Sequence, residues 1–137
     1  MINIYAPNKT TEQSLFFHKI TDLISNEAGS HKILLGGDFN VILDPSMDAF
    51  GGNPAYKDLA KLLDEVLAEN DLVDIWRIQN PDVKRFTWMQ KTPLIQPRLD
   101  YWFIDDSLQD DIAKIDIVTA IRTDHSAVIL EIDSLDT

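Results

Sequence analysis

Residues 32–40 read Lys-Ile-Leu-Leu-Gly-Gly-Asp-Phe-Asn, and this stretch decides the fold class. Residues 33–35 are apolar at successive positions, and the run is too short to form a helix. Such a run predicts a strand that is buried on both faces of a sheet. Two glycines end it, and an acid, Asp38, and an amide, Asn40, follow at once. The sequence therefore predicts a buried strand with polar side chains at its carboxyl end.

Two amphipathic stretches lie on either side of this strand. Apolar residues recur at helical spacing between residues 15 and 24, and again between residues 59 and 67 behind an Asn53-Pro54 helix start. Strand-like segments, rich in β-branched and aromatic residues, are Ile2–Tyr5, Phe86–Met89, Leu99–Ile104, Ile115–Ile121 and Ala127–Ile132. This order predicts an α/β domain, with a mixed β-sheet and helices on one face.

The opposite face of that sheet needs a cover as well. The strands are apolar at successive positions, so both faces should be buried, yet two helices can cover only one of them. We expect a part that this chain does not contain to pack on the second face.

Length and composition limit the class of protein. With 137 residues, 45% hydrophobic and 26% charged, the chain suits one folded domain. It has no cysteine, which excludes disulfides, zinc–thiolate sites and cysteine nucleophiles. No apolar run reaches the ~18 residues of a membrane-spanning helix. We expect an intracellular protein without a membrane partner.

The formal net charge of −11 argues against a nucleic acid partner. Proteins that bind nucleic acid usually carry a basic surface that displaces counterions from phosphates. Carboxylates that hold a divalent cation would relieve part of this conflict, because a metal-dependent phosphodiesterase needs acidic residues where the phosphate binds.

Acidic, amide and imidazole side chains recur at the ends of the predicted strands. Asp38 can hold a hard cation such as Mg²⁺ or position a water molecule, and Asn40 can orient a phosphate. His125 can contact a phosphate or act as acid or base if a carboxylate fixes its tautomer, and Asp100 is the distant acid best suited to that. Asp124 would then be free for the metal.

Each of these residues also has a purely structural interpretation. Asp38 and Asn40 after two glycines make a good turn, because both side chains bond to nearby backbone. Asp124 and His125 taken singly suit an exposed loop. Asp100 is harder to explain in this way, since it lies among apolar neighbours, where an unpaired carboxylate is costly.

Taken together, five motifs in this order resemble the endonuclease/exonuclease/phosphatase superfamily, and the stretch Gly36–Pro45 with Leu72-Val73-Asp74-Ile75-Trp76 most resembles its LINE-type retrotransposon endonucleases. The motifs are Asn3-Ile4-Tyr5-Ala6-Pro7-Asn8, Gly37-Asp38-Phe39-Asn40, Phe86-Thr87-Trp88, Arg98-Leu99-Asp100-Tyr101 and Asp124-His125-Ser126. The resemblance implies a four-layer α/β sandwich (DNase I-like), of which residues 1–137 are the carboxyl-terminal half. It also implies a Mg²⁺ or Mn²⁺ site and the hydrolysis of phosphodiester bonds in DNA.

The resemblance assigns a role to each matching residue, as follows. Asp38 corresponds to the acid that holds or activates the attacking water, Asn40 to the amide that orients the phosphate, and Tyr5 to a tyrosine that contacts it. Asp100 corresponds to the partner of the histidine, His125 to the histidine that contacts the phosphate, and Asp124, together with Asp38, to metal-side carboxylates. Asn8 and Thr87 correspond to residues near the substrate.

The chain departs from the family pattern in two places. Thr123 stands where many relatives have serine, which keeps the hydroxyl. The family's earlier motifs, an asparagine on the first strand and a metal-binding glutamate, have no counterpart. We therefore expect an impaired fragment without its amino-terminal half, which forms a homodimer through the sheet face left exposed.

Three functions stay open on the sequence alone. The first is a metal-dependent endonuclease that nicks DNA, located in the nucleus if the retrotransposon is that of a eukaryote. The second is a phosphoesterase for a small phosphoester such as a phosphoinositide. The third is a non-enzymatic remnant that folds as a dimer and keeps its motifs by descent.

Overall fold

The computed structural model describes residues 1–27, 31–52, 57–120 and 123–133. Its elements, in chain order, are β1 (Ile2–Tyr5), α1 (Thr10–Glu27), β2 (Leu34–Asp38), α2 (Pro45–Asp48), β3 (Ala49–Phe50), α3 (Lys57–Glu69), β4 (Leu72–Asp74), α4 (Ile75–Gln79), β5 (Gln96–Pro97), β6 (Asp100–Asp105), a 3₁₀ helix (Asp106–Asp111), β7 (Ile112–Val118) and β8 (Ala127–Ile132). None of the described helices is long and apolar enough to cross a membrane.

A mixed four-stranded sheet forms the centre, in the order β1-β2-β6-β4. β1 runs parallel to β2, whereas β6 is antiparallel to both β2 and β4. β2 is an inner strand, as the sequence predicts, and its Leu35 is fully buried whereas its Leu34 is half-buried. The predicted α/β class with a mixed sheet is confirmed.

Both long helices pack on one face of this sheet. Phe17 of α1 and Leu63 of α3 are fully buried in one cluster with Leu35 and Phe103 of the sheet. Full burial of side chains of this size contributes roughly 1.5–3 kcal/mol each. The apolar spacing of the two amphipathic stretches thus defines the larger core of the molecule.

A separate hairpin of β7 and β8 packs on the other face. Ile115 and Ile117 of β7 lie in a second buried cluster with Ile104 of the sheet. Trp102 joins the layers, since its indole nitrogen donates to the carbonyl of Val128 at 3.0 Å. The expectation that nothing in this chain covers the second face is therefore wrong. The last two strands, β7 and β8, form a sheet of their own that packs on part of this face.

Some predicted elements differ from the structure. Phe86–Met89 is not a regular strand, and only an isolated bridge between Trp88 and His125 forms there. α2 and α4 were not predicted, because helices of four and five residues are too short to show a hydrophobic period. The predicted helix start at Asn53-Pro54 lies outside the described residues.

Candidate active site

The ends of three neighbouring strands bring three of the predicted residues to one edge of the sheet. Asp38 ends β2, Asp100 begins the antiparallel β6, and the two are register partners. Tyr5 ends β1 and is the register partner of Asp38 on its other side. Strand pairing therefore brings Tyr5 and Asp100 next to Asp38, although they lie 33 and 62 residues away from it along the chain.

His125 lies between the two carboxylates. Its Nδ1 is 2.9 Å from Oδ2 of Asp100, and its Nε2 is 3.8 Å from Oδ2 of Asp38. We refer to Asp38, Asp100 and His125 as the site cluster. The side chain of His125 is 36% exposed, whereas Asp38 is buried. The site cluster is thus built on the sheet and open to solvent on the imidazole side.

Backbone contacts fix the position of His125. The amide of Met89 donates to the carbonyl of Asp124 at 3.2 Å, and the amide of Ser126 donates to the carbonyl of Thr87 at 2.7 Å. The hydroxyl of Thr123 accepts from the amide of His125 at 2.9 Å, so the threonine found in place of serine uses its hydroxyl in the structure.

The charges of the cluster shift the pKa values of two of its members. Burial lowers the pKa of His125, but the hydrogen bond to Asp100 and the negative charges of Asp100, Asp38 and Asp124 outweigh it, so the pKa is raised overall. Burial is also the main cause that raises the pKa of Asp38. An imidazole that favours its charged form thus faces a carboxylate that takes up a proton more readily than usual.

The turn after β2 satisfies both interpretations of Asp38 and Asn40. Oδ1 of Asp38 accepts from the amide of Asn40 at 2.9 Å, and Asn40 has a φ of 50°, a left-handed conformation that asparagine tolerates. The side-chain amide of Asn40 donates to the carbonyl of Ala6 at 2.6 Å, which ties the turn to the end of β1. The residues form a turn, and that turn places them at the site edge.

The remaining predicted residues differ in their exposure to solvent. Tyr5 is 81% exposed and Asn8 is also exposed, so the tyrosine ring and the asparagine amide are both accessible to solvent. Asp124 is exposed, and its Oδ2 accepts from the indole nitrogen of Trp88 at 3.0 Å. Thr87 is fully buried, and its hydroxyl accepts two backbone N–H groups.

A second group of charged residues lies behind the site and was not predicted. Arg98 donates through Nε to Asp48 at 2.8 Å and through both terminal nitrogens to Asp74 at 3.0 and 2.6 Å. Arg77 also pairs with Asp48. We refer to these four residues as the arginine cluster. Arg98 lies between Pro97 and Leu99 in the sequence, and nothing in the sequence identifies Asp48 as its partner.

The donor atoms of the site suit a hard divalent cation. Asp38, Asp100 and His125 each offer one ligand atom, and these atoms lie within 4.8 Å of one another. Carboxylate oxygens are the protein ligands that Mg²⁺ prefers. Asp124, which the sequence also predicts as a metal ligand, is not among these three residues, and its Oδ2 accepts from Trp88.

Comparison with solved structures identifies the fold. The chain superposes on a 3'-5' exonuclease from Neisseria meningitidis with a TM-score of 0.81 and 18% sequence identity, over 96% of this chain and 60% of that one. A second structure of the Neisseria protein, bound to a product DNA hairpin, gives 0.77 and 19%. This chain has the endonuclease/exonuclease/phosphatase fold. The resemblance seen in the five sequence motifs is confirmed at that level.

Curated sequences agree with this fold. The chain is 31% identical over 134 residues to a Xenopus laevis protein described as transposon TX1 uncharacterized 149 kDa protein, and 25% identical over 150 residues to an exodeoxyribonuclease of Streptococcus pneumoniae. It covers 10% of the length of the first and 54% of the second. No family model matches the chain. The chain therefore spans only part of the length of the curated relatives that it matches.

Proposed function

We propose that this chain carries part of the active site of a metal-dependent endonuclease, which hydrolyses phosphodiester bonds in DNA for a LINE-type retrotransposon. The observation that carries the proposal is the placement of His125 between Asp38 and Asp100 at the sheet edge. This arrangement supplies one group that prefers a positive charge and one that accepts a proton, side by side.

The role of His125 follows from its two ring nitrogens. Asp100 binds Nδ1, which fixes the tautomer and stabilises the imidazolium. Nε2 is 3.8 Å from Asp38, too far for a direct hydrogen bond, and it therefore keeps its proton for a phosphate oxygen. His125 would bind a non-bridging oxygen and stabilise the charge that builds up during attack.

Asp38 is placed to accept a proton. Its Oδ1 is held by the amide of Asn40, and its pKa is raised chiefly by burial. A water oxygen would form a bond to phosphorus while Asp38 takes one of its protons; one P–O ester bond breaks, and the leaving oxygen is protonated from solvent. Asn40 and the exposed Tyr5 would hold the phosphate in line with this attack.

Asp38 and Asp124 are the side chains that would hold Mg²⁺ or Mn²⁺. When bound, the ion supplies positive charge to the phosphate oxygens and lowers the pKa of water. Of these two carboxylates, Asp38 belongs to the group of described residues whose ligand atoms lie within metal-ligand distance of one another, and the other members of that group are Asp100 and His125. Asp124 is assigned to the metal by the family resemblance. We expect slow turnover from these 137 residues alone, since the glutamate that the family resemblance implies has no counterpart among them.

Two observations favour DNA over a small phosphoester. The exodeoxyribonuclease and the Neisseria protein with its DNA hairpin are named for action on DNA. In addition, a crevice of about 170 Å³ beside Asp124 is lined by Lys84, Arg85 and Trp88, and Lys84 is exposed. This crevice puts positive charge close to the site of a chain whose net charge is −11.

A comparison of substrates tests the proposal. The purified chain is incubated with Mg²⁺ or Mn²⁺ and either supercoiled plasmid or a soluble phosphoinositide. We expect plasmid nicking that EDTA abolishes and no release of phosphate from the phosphoinositide. Phosphate release without nicking would favour the small-phosphoester alternative, and activity in neither arm would favour the non-enzymatic remnant.

A homodimer is our proposal for assembly, and a nuclear location would follow if the host is a eukaryote. The hairpin of β7 and β8 covers only part of the second sheet face, and Asn3 of β1 stays exposed beside it. This part of the face is the surface through which two copies would meet. A monomer by light scattering at micromolar concentration would contradict the dimer.

A further inference from the structure

We propose that Thr87 is a positioning residue that holds Asp100 and His125 in register with each other, without contact to the substrate. The importance of this role for catalysis rests on the function proposed above. The positioning itself rests on the hydrogen bonds of Thr87, which join the segment that carries Asp100 to the segment that carries His125.

The hydroxyl of Thr87 binds the segment that carries the acid. Its oxygen accepts from the amide of Leu99 at 2.9 Å and from the amide of Asp100 at 3.1 Å. Leu99 directly precedes β6, and Asp100 is its first residue. The hydroxyl oxygen of Thr87 therefore fixes the position of the strand end that carries Asp100.

The backbone of Thr87 binds the segment that carries the imidazole. Its carbonyl accepts from the amide of Ser126, the residue after His125, at 2.7 Å. Its amide donates to the carbonyl of Pro97 at 3.0 Å, which anchors Thr87 to the chain just before β6. Thr87 is thus bonded on both sides of the contact between Asp100 and His125.

Burial makes these contacts matter. Thr87 has no exposed surface, so water cannot replace its hydroxyl as the acceptor for two amides. A buried donor without a partner costs about 1–3 kcal/mol, so the native position of the Leu99 and Asp100 amides becomes unfavourable once the hydroxyl is removed. Loss of the hydroxyl should therefore displace the start of β6, and the 2.9 Å contact between Asp100 and His125 should loosen with it.

The test compares Thr87→Val, which keeps the shape and removes the acceptor, with Thr87→Ser, which keeps the acceptor. Thr21→Val is the matched control, because the hydroxyl of Thr21 only donates to the carbonyl of Phe17 within α1. Thr87→Ala replaces the valine variant if that one does not fold. Amide hydrogen exchange and the ¹⁵N shifts of the His125 ring are measured by NMR, without any substrate.

In Thr87→Val we expect exchange at Leu99 and Asp100 to be faster by about tenfold or more, and the His125 Nδ1 shift to move toward that of a free imidazole. Amides of the large core, such as Leu63, should keep their wild-type rates, and Thr87→Ser should restore both signals. Unchanged exchange at Leu99 and Asp100, or equal acceleration throughout the core, would overturn the inference.

The NMR result stands whether or not the chain cleaves DNA, so failure of the proposed function and failure of this inference are distinguishable. Where nicking is detectable, Thr87→Val should lower kcat and leave KM close to that of the wild type. A raised KM with unchanged kcat would instead mean that Thr87 acts on substrate binding, contrary to the inference.

Discussion

The short segment Arg98-Leu99-Asp100 contributes one residue to each of two charged clusters, Arg98 to the arginine cluster and Asp100 to the site cluster. The clusters differ in how far their charged groups are paired with each other. In the arginine cluster, Arg98 and Asp48 are each 1% exposed, and the two carboxylates accept at least four hydrogen bonds from two guanidinium groups. In the site cluster, His125 is 36% exposed and its Nε2 has no partner within hydrogen-bond distance among the described residues.

The difference indicates which cluster serves stability and which serves function. The two carboxylates of the arginine cluster are engaged by guanidinium groups and have little capacity left for a ligand, and these ion pairs tie together the segments that carry them. Nε of Arg77 is the exception, since it is buried without a hydrogen-bond partner among the described residues. Charges that are only partly paired destabilise the fold slightly and stay available to bind. The arginine cluster thus anchors the segment from which Asp100 projects into the site cluster.

The largest effect that we expect is the loss of stability in Arg98→Met. This change leaves Asp48 and Asp74 without their main partner in a buried environment, and breaking a buried ion pair in this way costs about 3–5 kcal/mol. Urea denaturation followed by tryptophan fluorescence measures it. His125→Ala is the matched variant in the site cluster and should cost less than about 1 kcal/mol. Equal losses in the two variants would remove the distinction between the clusters.

A smaller change of opposite sign is expected for Asp38→Asn. Burial raises the pKa of Asp38, which means that the folded chain disfavours its charged form relative to the unfolded chain. The neutral asparagine still accepts from the amide of Asn40, so at neutral pH the free energy of unfolding should rise, by up to about 1 kcal/mol. Thermal denaturation measures the change, with exposed Asp58→Asn as control. A clear loss of stability would show that the charge of Asp38 is structural.

The third prediction concerns the pKa of His125, which should fall in Asp100→Asn. The folded pKa is raised above its usual value of 6.5 despite burial, because Asp100 binds the ring and adds its negative charge. The contact therefore stabilises the folded chain below pH 6.5, and this contribution is lost as the pH rises through the folded pKa. NMR titration of the ring protons in both chains measures it. An unchanged pKa in the variant would mean that the two side chains do not interact in solution.

The sequence predicts those parts of the molecule that depend on local pattern. Residues 33–35 predict an inner strand because a short apolar run can be buried on both faces. The apolar spacing of residues 15–24 predicts α1 but only part of the face that it buries, since Leu15 and Leu23 of that stripe are exposed and Phe17 is fully buried. The five motifs also identify the fold, since their order along the chain is characteristic even where each one is short.

What the sequence could not predict depends on packing between distant segments. The turn of β7 and β8 back over the sheet follows from the burial of Ile115 and Ile117 against Ile104, which no local pattern encodes. In the same way, Asp48 resembles any loop acid until the fold brings it to Arg98. The site residues were found by motif and chemistry, but their distances could come only from the structure.

The most direct test of the account is the rate at which His125→Ala nicks supercoiled plasmid with Mg²⁺ or Mn²⁺, relative to the wild-type chain and to the exposed-histidine control His31→Ala. We predict that His125→Ala loses about 10²–10⁴-fold in rate while it remains folded, and that His31→Ala keeps the wild-type rate. Equal rates in His125→Ala and the wild type, or a wild-type chain without metal-dependent nicking, would contradict the account.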